Sequence, residues 1–555
     1  MRQQKYVIYE LSAKAVISYA VQRDGKYVFE LDHSSTMKCK NPGATHEQSS
    51  NALFHQIICE LYGRGEDGST SKFASTKLDD AIFYMDFSGI FDVRGNSGRQ
   101  ILRKAKARDM FRPEGITLSI GSTPYRYVAF ERSGNMSRNG RLSFIRADLY
   151  ERVRRRIMLG MHIGQCQLSK LYAYNGLMMS TGVRVEDVGI DVPSRVIVID
   201  NPVRTAHNVN VITVEDDGTQ NSTRKYARVE KRMDIDITCF DGEGLISEQY
   251  AEAIDKRLCG KHVHTSFQVR LPFVKGMLHQ VDFKDFLKNC GTKTITDIWG
   301  KVHAVDDVEI ILTKSMFKGY GWLKENGMSW EDYWSAFRKY DHALYITQVS
   351  REEPEATTEL NYQFLTTVSI QAEEFRPSDL PAGWTHSPTD DPRHWLTKQT
   401  ELAYYNFRAD PQFRINYFLK HLKQLFFRMG EKTTVEYMAS ALKKNVLLIN
   451  EPAFTKILDD KAEQIYEQYG EGRLIVDGDI RYLSGDLLDF LIQLIDTKSN
   501  RTKRQNRYFA AAVTNHFPER AFYAPKAVYQ HDESCTLLRN PHIARNEELL
   551  LSFYD

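Results

Sequence analysis

The sequence predicts a multidomain protein of the α+β class, with a compact β unit at its centre and a helical block after it. Its 555 residues are too many for a single hydrophobic core, so two to four domains are expected. Apolar and polar residues alternate over short runs between 233 and about 345, which is typical of strands. After residue 406 apolar residues recur three and four apart, which is typical of amphipathic helices.

The first two regions are predicted from local patterns. Residues 1–125 alternate short apolar runs with polar loops and form an N-terminal α/β region of unknown role. Region 126–230 opens with a strand at 125–130 and continues with a helix. Leu149, Val153 and Ile157 lie on one face of that helix, and most of the arginine run 152–156 lies on the other. The run 196–199 is predicted to be a further strand.

The remaining regions follow in order along the chain. Alternation at 234–237, 267–271 and 308–312 predicts a compact barrel or sandwich over 231–345. Residues 346–405 are acidic and contain prolines, so they are predicted to be a linker or insertion. A helical domain is predicted over 406–520, from periodic apolar residues at 415–429, 435–442 and 487–495. Residues 521–555 begin a second, incomplete β unit.

Composition limits the classes of function. Lys and Arg total 74 against 72 Asp and Glu, so any nucleic-acid surface must be a local patch. The seven cysteines form no Cys-x-x-Cys pair, which argues for a reduced compartment and against a disulfide framework or a zinc site. No stretch approaches the roughly 20 apolar residues of a membrane helix. A soluble, cytoplasmic protein is therefore expected, without a membrane partner.

Two clusters of basic residues are possible phosphate tracks. One is the run 152–156, and the other comprises Arg501, Lys503, Arg504 and Arg507, next to Tyr508 and Phe509. Phosphate contacts of this kind would be independent of base sequence and sensitive to salt. A solvated helix face is the alternative interpretation of each cluster.

Four motifs occur in order over about 420 residues. They are the stretch 129–138 ending in Arg138, the succession 159–181, Asp241-Gly242-x-Gly244 with Gln268-x-Arg270 and Lys275-Gly276, and Arg539-Asn540-Pro541-His542. This order resembles the RNA-silencing type of RNA-dependent RNA polymerase and the related single-chain phage and bacterial RNA polymerases, which carry two double-psi β-barrels.

The resemblance implies that 231–345 is the first double-psi β-barrel and that 521–555 begins the second. The implied reaction is RNA chain extension from nucleoside triphosphates, on an RNA or single-stranded DNA template. Charge builds on the triphosphate during this reaction, so cations are needed there. The resemblance assigns that role to Lys275 and Lys318 as catalytic residues. It implies nucleotide or nucleic-acid contacts at Arg138, Arg270, Lys314, Arg539 and His542.

The family also implies Mg²⁺, held by an Asp-x-Asp-Gly-Asp motif. The sequence Ile475-Val476-Asp477-Gly478-Asp479 imitates the motif, but it lacks the first aspartate and precedes the second-barrel strand. Asp477 and Asp479 are therefore predicted to form a polar turn, and no metal ligand is assigned. Mg²⁺ is expected at a site completed outside this chain, with a second chain carrying the acidic triad as one expected partner. Two alternatives stay open: a non-catalytic RNA- or single-stranded-DNA-binding relative, and a phage structural protein.

Overall fold

The computed structural model describes residues 5–49, 51–63, 78, 80–87, 90, 109–111, 114–130, 140–164, 168–216, 225–350, 357–361, 392–423, 434–514, 521–523, 534–538 and 548–553. The chain divides into two compact units. One comprises Met1–Val349 and Ser484–Ala512, and the other comprises Ser350–Leu483 and Val513–Asp555. None of the described helices combines the length and apolar character that crossing a lipid bilayer requires.

The first unit begins with a mixed seven-stranded sheet of order β4-β7-β8-β9-β6-β1-β5. Buried aromatic rings, among them Phe83, Tyr127 and Phe144, fill its core. Strands β8 and β9 belong to this sheet, so the domain boundary predicted between 125 and 126 lies inside it. The elements are β1 (Lys5–Ser12), α1 (Ala13–Ile17), β2 (Val21–Arg23), β3 (Lys26–Val28), β4 (Glu30–Leu31), α2 (His33–Lys38), β5 (Lys40–Ser49), α3 (Ala52–Tyr62), β6 (Ile82–Asp86), β7 (Ile116–Leu118), β8 (Tyr125–Ala129) and β9 (Arg141–Arg146).

The helix predicted after this sheet is confirmed as α4 (Ala147–Ile157), which is followed by α5 (Leu168–Asn175). Leu149, Val153 and Ile157 are buried, as the apolar spacing predicts. On the other face Arg152 pairs with Glu60 of α3, and Arg156 Nε donates to Gln56 Oε1 at 2.7 Å. These contacts hold α4 against α3, so Arg152 and Arg156 have structural roles.

The centre of the first unit is a second seven-stranded sheet, which curls into a half-barrel. Its order is β10-β20-β15-β16-β14-β19-β11, with β10 and β11 at its two edges. The mixed α/β character that the sequence predicts is thus confirmed, and the double-psi connectivity stays a prediction. Its strands are β10 (Val183–Val185), β11 (Val196–Ile199), β14 (Glu243–Ile246), β15 (Ser266–Leu271), β16 (Val274–Gln280), β19 (Ile310–Thr313) and β20 (Leu344–Val349).

Other segments connect these strands. β12 (Val203–Asp216) and β13 (Lys225–Thr238) form a long antiparallel ribbon between β11 and β14. α6 (Glu248–Cys259) follows β14, and α7 (Phe283–Asn289) follows β16, so both helices start at the same end of the sheet. The short hairpin β17 (Thr294–Thr296) and β18 (Val302–Ala304) leads into β19, and α8 (Tyr320–Glu325) and α9 (Trp330–Lys339) lead into β20.

The second unit is largely helical in its described part. Its core packs Phe407, Phe418, Leu442, Phe454 and Leu458. The helices are α10 (Pro392–Ala409), α11 (Pro411–Lys423), α12 (Thr434–Leu442) and α13 (Pro452–Gly470), and the strands are β21 (Thr357–Glu359), β22 (Ile475–Asp477), β23 (Ala521–Phe522), β24 (Ser534–Leu538) and β25 (Glu548–Phe553). β21 pairs with β22, and β25 lies between β23 and β24.

Two further helices return to the first unit. α14 (Leu487–Gln493) and α15 (Lys503–Thr514) follow the second unit's helices in sequence. Phe490, Leu491 and Ile495 pack with Phe240 and Leu287 of the central sheet region. The predicted helical domain 406–520 therefore contributes residues to both compact units.

Candidate functional site

One end of the central sheet gathers three lysines from different segments. β19 runs antiparallel to β14, and β14 runs parallel to β16, so the end of β19 lies beside the starts of the other two. Lys275 is the second residue of β16, while Lys314 and Lys318 follow β19. β11 is parallel to β19 and ends there as well. We call this region, defined by Lys275, Lys314 and Lys318, the lysine end.

Main-chain hydrogen bonds set the relative positions of two of these lysines. Lys275 N donates to Met316 O at 3.2 Å, and Lys318 N donates to Phe273 O at 2.8 Å. The segment 316–318 therefore runs antiparallel to 273–275, next to a bridge between Val274 and Phe317. Lys275 is exposed and Lys318 is half-buried. Backbone pairing thus places the two predicted catalytic lysines on neighbouring segments.

Glycines allow the segments to meet this closely. Gly242 adopts φ +74° in the turn before β14, a conformation that favours glycine. A Cβ on Gly276 would lie 2.2 Å from Gly242 O and 2.7 Å from the Met316 side chain. A Cβ on Gly244 would lie 2.5 Å from Ile311 O. The close approach at Gly276 is therefore made by a neighbouring backbone and a methionine.

Side chains reinforce the turn at the lysine end. Ser315 Oγ accepts a hydrogen bond from Gly242 N at 2.8 Å, and Ser315 N donates to Asn201 Oδ1 at 2.9 Å. Thr313 Oγ1 donates to Glu243 O at 2.6 Å. These bonds join the ends of β11 and β19 to the start of β14, so the backbone that carries the lysines is preorganised.

The third lysine is already paired. Lys314 Nζ lies 3.1 Å from Asp200 Oδ1 and 5.0 Å from the centre of the Tyr320 ring. Both partners of the ion pair are largely exposed, so the pair is worth at most about 1 kcal/mol and an anionic ligand can replace it.

Packed aromatic rings support the segment between Lys314 and Lys318. Phe317 contacts Trp330 and Tyr333 edge-on, with ring centroids 5.2 and 5.5 Å apart. Tyr333 Oη donates to Pro272 O at 2.9 Å, and Trp330 Nε1 donates to Val196 O at 2.9 Å. Helix α9 buries these rings at the spacing i, i+3, and so it fixes both the β15–β16 turn and β11.

The β15–β16 turn itself is strained. Pro272 and Phe273 are its two central residues, and Phe273 adopts φ +62°. A bulky residue with positive φ is rare, because its Cβ crowds the backbone. The Phe273 ring is buried against Trp322, at 5.3 Å between centroids, and this packing holds the strained conformation next to Lys275.

Glu243 has an unusual environment at this end of the sheet. Its Oε2 accepts hydrogen bonds from Ser484 Oγ at 3.0 Å and from Gly485 N at 3.2 Å. Burial, together with the charge of Asp241, raises the pKa of Glu243 to about 7, against the lowering effect of those two hydrogen bonds. The sequence pattern did not indicate a site role for Glu243, although this residue lies within the Asp-Gly-x-Gly motif. Its pKa depends on residues about 240 positions away.

Arg270, for which the family resemblance implies a nucleotide or nucleic-acid contact, has a buried side chain. It is 7% exposed, and its guanidinium donates to Val269 O at 2.8 Å and to Gln268 Oε1 at 3.1 Å. β15 lies between β20 and β16, so it is an interior strand of the sheet. Arg138, Arg539 and His542 lie outside the described residues.

Among the residues that the structure describes, carboxylates near the lysine end do not form a magnesium site. Mg²⁺ prefers an octahedral set of oxygens that usually includes several carboxylates or phosphates. In the part of the chain that the structure describes, the clusters with metal-ligand spacing contain cysteine and histidine and lie elsewhere. Asp479 is buried and pairs with Arg481 at 2.7 Å, and Asp477 ends β22. The described residues therefore do not fit the magnesium ion of a polymerase.

A pocket of about 540 Å³ adjoins the lysine end through Asp200 and Asn201. Segments 199–202, 294–296 and 493–496 line it. Its volume is in the range of small-molecule sites. Asp200 and Asp496 both line the pocket, and two carboxylates disfavour a triphosphate there.

The four basic residues between 501 and 507 have different environments in the structure. Arg501 donates to Cys290 O at 2.6 Å and stacks on Phe509 at 4.3 Å, so it serves to hold α15 in place. Lys503, Arg504 and Arg507 are exposed on α15. For these three residues, a phosphate track and a solvated helix face both stay open as interpretations.

Parts of this chain are similar in sequence to known RNA polymerases. The sequence model of a family described as RNA dependent RNA polymerase matches residues 89–372, which is 284 of the 555 residues and includes the whole lysine end. A DNA-directed RNA polymerase, YonO of Bacillus phage SPbeta, is 28% identical over 254 residues, covering 45% of this chain and 27% of the phage protein.

Among solved structures, the RNA dependent RNA polymerase QDE-1 from Thielavia terrestris aligns with 86% of this chain and 42% of its own length, at 14% identity and a TM-score of 0.39. The chain thus spans less than half the length of either protein. The match of the family model over half of the chain carries the assignment: the protein belongs to the RNA-dependent RNA polymerase family.

Proposed function

We propose that this chain is part of a template-directed RNA polymerase, and that its lysine end binds the phosphates of an incoming nucleoside triphosphate. The observation that carries the proposal is the convergence of three lysines on one hydrogen-bonded end of a rigid sheet. Positive charge held in place before the reaction stabilises the charge that develops on the transferred phosphates. Lys275 and Lys318 have the leading roles, and Lys314 joins them when a ligand displaces Asp200.

The central sheet is, in this proposal, the first double-psi β-barrel. The lysines lie where β11 and β19 end and where β14 and β16 begin. The template is RNA or single-stranded DNA, and the two polymerases that match this chain differ on that point by their names. Mg²⁺ is expected from the family, and we propose that its carboxylate ligands come from outside the described residues, on this or a second chain.

Nucleotide binding by a double variant tests the proposal. Lys275→Ala with Lys318→Ala removes two charges, and we expect at least a tenfold loss of affinity for ATP, since one charged hydrogen bond is worth about 1.5–3 kcal/mol. The matched control is Lys256→Ala with Lys288→Ala, on helices that start at the opposite end of the sheet. It removes the same charge and should leave the affinity unchanged.

Three outcomes are distinguishable when a labelled single-stranded RNA is titrated in parallel. Loss of ATP affinity in the lysine-end variant alone supports the polymerase proposal. Salt-sensitive RNA binding without any ATP binding supports a non-catalytic nucleic-acid-binding relative. Equal affinities of the two double variants for both ligands would refute a phosphate-binding role for the lysine end.

A further inference from the structure

A cluster of metal-ligating side chains lies at the other end of the central sheet, where α6 returns to β15. Asp255 and Cys259 are four residues apart, hence on one face of the last turn of α6. Gly260 ends the helix with φ +77°, and the chain turns back. His262 and His264 follow within the next four residues, before β15 begins. We call these four residues the Asp255 cluster.

The potential ligand atoms of this cluster lie within a few ångströms of one another. Asp255 Oδ1 is 2.7 Å from His264 Nδ1 and 3.6 Å from Cys259 Sγ. The three atoms are all within 4.8 Å of each other. His262 Nδ1 is 3.4 Å from Asp255 Oδ2. Around a tetrahedral zinc ion neighbouring ligand atoms are roughly 3.3–3.8 Å apart. The separation of Asp255 Oδ1 and Cys259 Sγ already fits this range, and that of Asp255 Oδ1 and His264 Nδ1 has to lengthen by less than about 1 Å.

Hydrogen bonds hold the carboxylate of the Asp255 cluster in one orientation. Asp255 is fully buried, and its Oδ2 accepts hydrogen bonds from Val263 N at 2.6 Å and His264 N at 2.8 Å. These bonds leave Oδ1 directed at the thiol and an imidazole. Metal ligands in proteins are commonly held by such outer hydrogen bonds.

A separate observation concerns the side chain of His262. Its Nδ1 is buried but has no hydrogen-bond partner among the described residues, although it lies beside Asp255. A buried polar atom without a partner costs free energy, which a bound ligand would recover. The orphaned nitrogen is therefore an observation, independent of the spacing, that points to a missing ligand.

A second Asp-Cys-His group in the protein provides an internal comparison. His55, Cys59 and Asp341 also lie within 4.8 Å of one another. There, however, Arg184 Nη2 is 3.4 Å from Asp341 Oδ1, and Arg184 is held by Glu186 as well. A fixed guanidinium repels a divalent cation, so this group is suited to a buried ion-pair network. In the Asp255 cluster the groups that lie beside the carboxylate are imidazoles, which are neutral metal ligands when they lose a proton.

We propose that Asp255, Cys259, His262 and His264 bind one zinc ion. A thiolate, two imidazoles and a carboxylate form the borderline-soft donor set that zinc prefers, and four protein ligands make a closed, structural site. The absence of a Cys-x-x-Cys pair hid the site in the sequence, because here the short turn is Cys259-Gly260-Lys261-His262. Zinc would fasten the end of α6 to β15 and so stiffen the β15–β16 hairpin that carries Lys275.

Metal analysis of the full chain tests this inference. The untagged protein is loaded with Zn²⁺, dialysed, and its zinc content measured by mass spectrometry. Cobalt substitution gives a second readout, because Co²⁺ bound to a thiolate has an intense visible spectrum. We expect one zinc per chain, a cobalt–thiolate spectrum, and a loss of thermal stability on adding a chelator.

Variants assign the site. Cys259→Ser should weaken zinc binding at least 100-fold and abolish the cobalt–thiolate band, while Cys59→Ser, in the other cluster, should change neither. His262→Ala, at a partly exposed side chain, provides a second test if Cys259→Ser folds poorly. Less than one zinc per chain after loading, or full binding by Cys259→Ser, would overturn the inference and leave the cluster as a hydrogen-bonded helix end.

Discussion

Replacing Glu243 by glutamine should make the first compact unit more stable at alkaline pH and leave it almost unchanged at pH 5. The Glu243 carboxyl is held by Ser484 and Gly485. Burial raises its pKa from 4.5 to about 7. Glutamine keeps the carbonyl oxygen that accepts both hydrogen bonds and removes the charge. The substitution therefore isolates the cost of ionising this group inside the protein.

The sign and size of the effect follow from proton linkage. Between pH 4.5 and 7 the unfolded chain releases the Glu243 proton while the folded protein keeps it, so the free energy of unfolding falls as pH rises. The pKa difference, 7 minus 4.5, is about 2.5, which corresponds to about 3 kcal/mol. Wild-type stability should lose this amount by pH 8, and Glu243→Gln should not lose it.

Urea unfolding followed by tryptophan fluorescence measures the difference, since Trp299, Trp330 and Trp334 all lie in the first unit. The matched control is Glu252→Gln on α6. Glu252 is exposed and pairs with Lys256, whose hydrogen bond lowers the pKa of Glu252. That variant should lose a little stability at pH 8.5 instead of gaining any. If Glu243→Gln and wild type differ equally at pH 5 and pH 8.5, the buried-carboxyl reasoning is refuted.

Two further substitutions test the packing described above. Gly276→Ala should cost about 1–3 kcal/mol, because its Cβ would meet Gly242 O at 2.2 Å, whereas Gly321→Ala, with nothing within 4 Å, should be neutral or slightly stabilising. Equal urea midpoints for the two variants would contradict the close approach. Asp341→Asn should cost about 3 kcal/mol, because it leaves buried Arg184 and His55 without that charge, whereas Asp200→Asn, in an exposed pair, should cost under about 1 kcal/mol. Thermal unfolding of both asparagine variants checks this, and a smaller cost at 341 than at 200 would show that the buried network is dispensable.

Local elements and family membership could be read from the sequence. The apolar spacing of Leu149, Val153 and Ile157 is a property of nine consecutive residues, and the structure confirms both the helix and its buried face. The strand predicted at 196–199 is also confirmed, because its apolar run is likewise a local property of the sequence. The order of short motifs was enough to identify the polymerase family, because that order does not depend on three-dimensional contacts. The same resemblance predicts Lys275 and Lys318 as catalytic residues.

Only the tertiary structure determined the burial, the pKa and the neighbours of these residues. The resemblance implies a nucleotide or nucleic-acid contact for Arg270, yet the folded chain buries this side chain. Burial in the folded chain raises the pKa of Glu243. Its hydrogen-bond partners lie about 240 residues away, so no local pattern contains this environment. Lys275 and Lys318 become neighbours only through pairing of the β16 start with the segment after β19. Charge, burial and convergence depend on non-local contacts, and for that reason the chemistry of both sites had to be read from the folded chain.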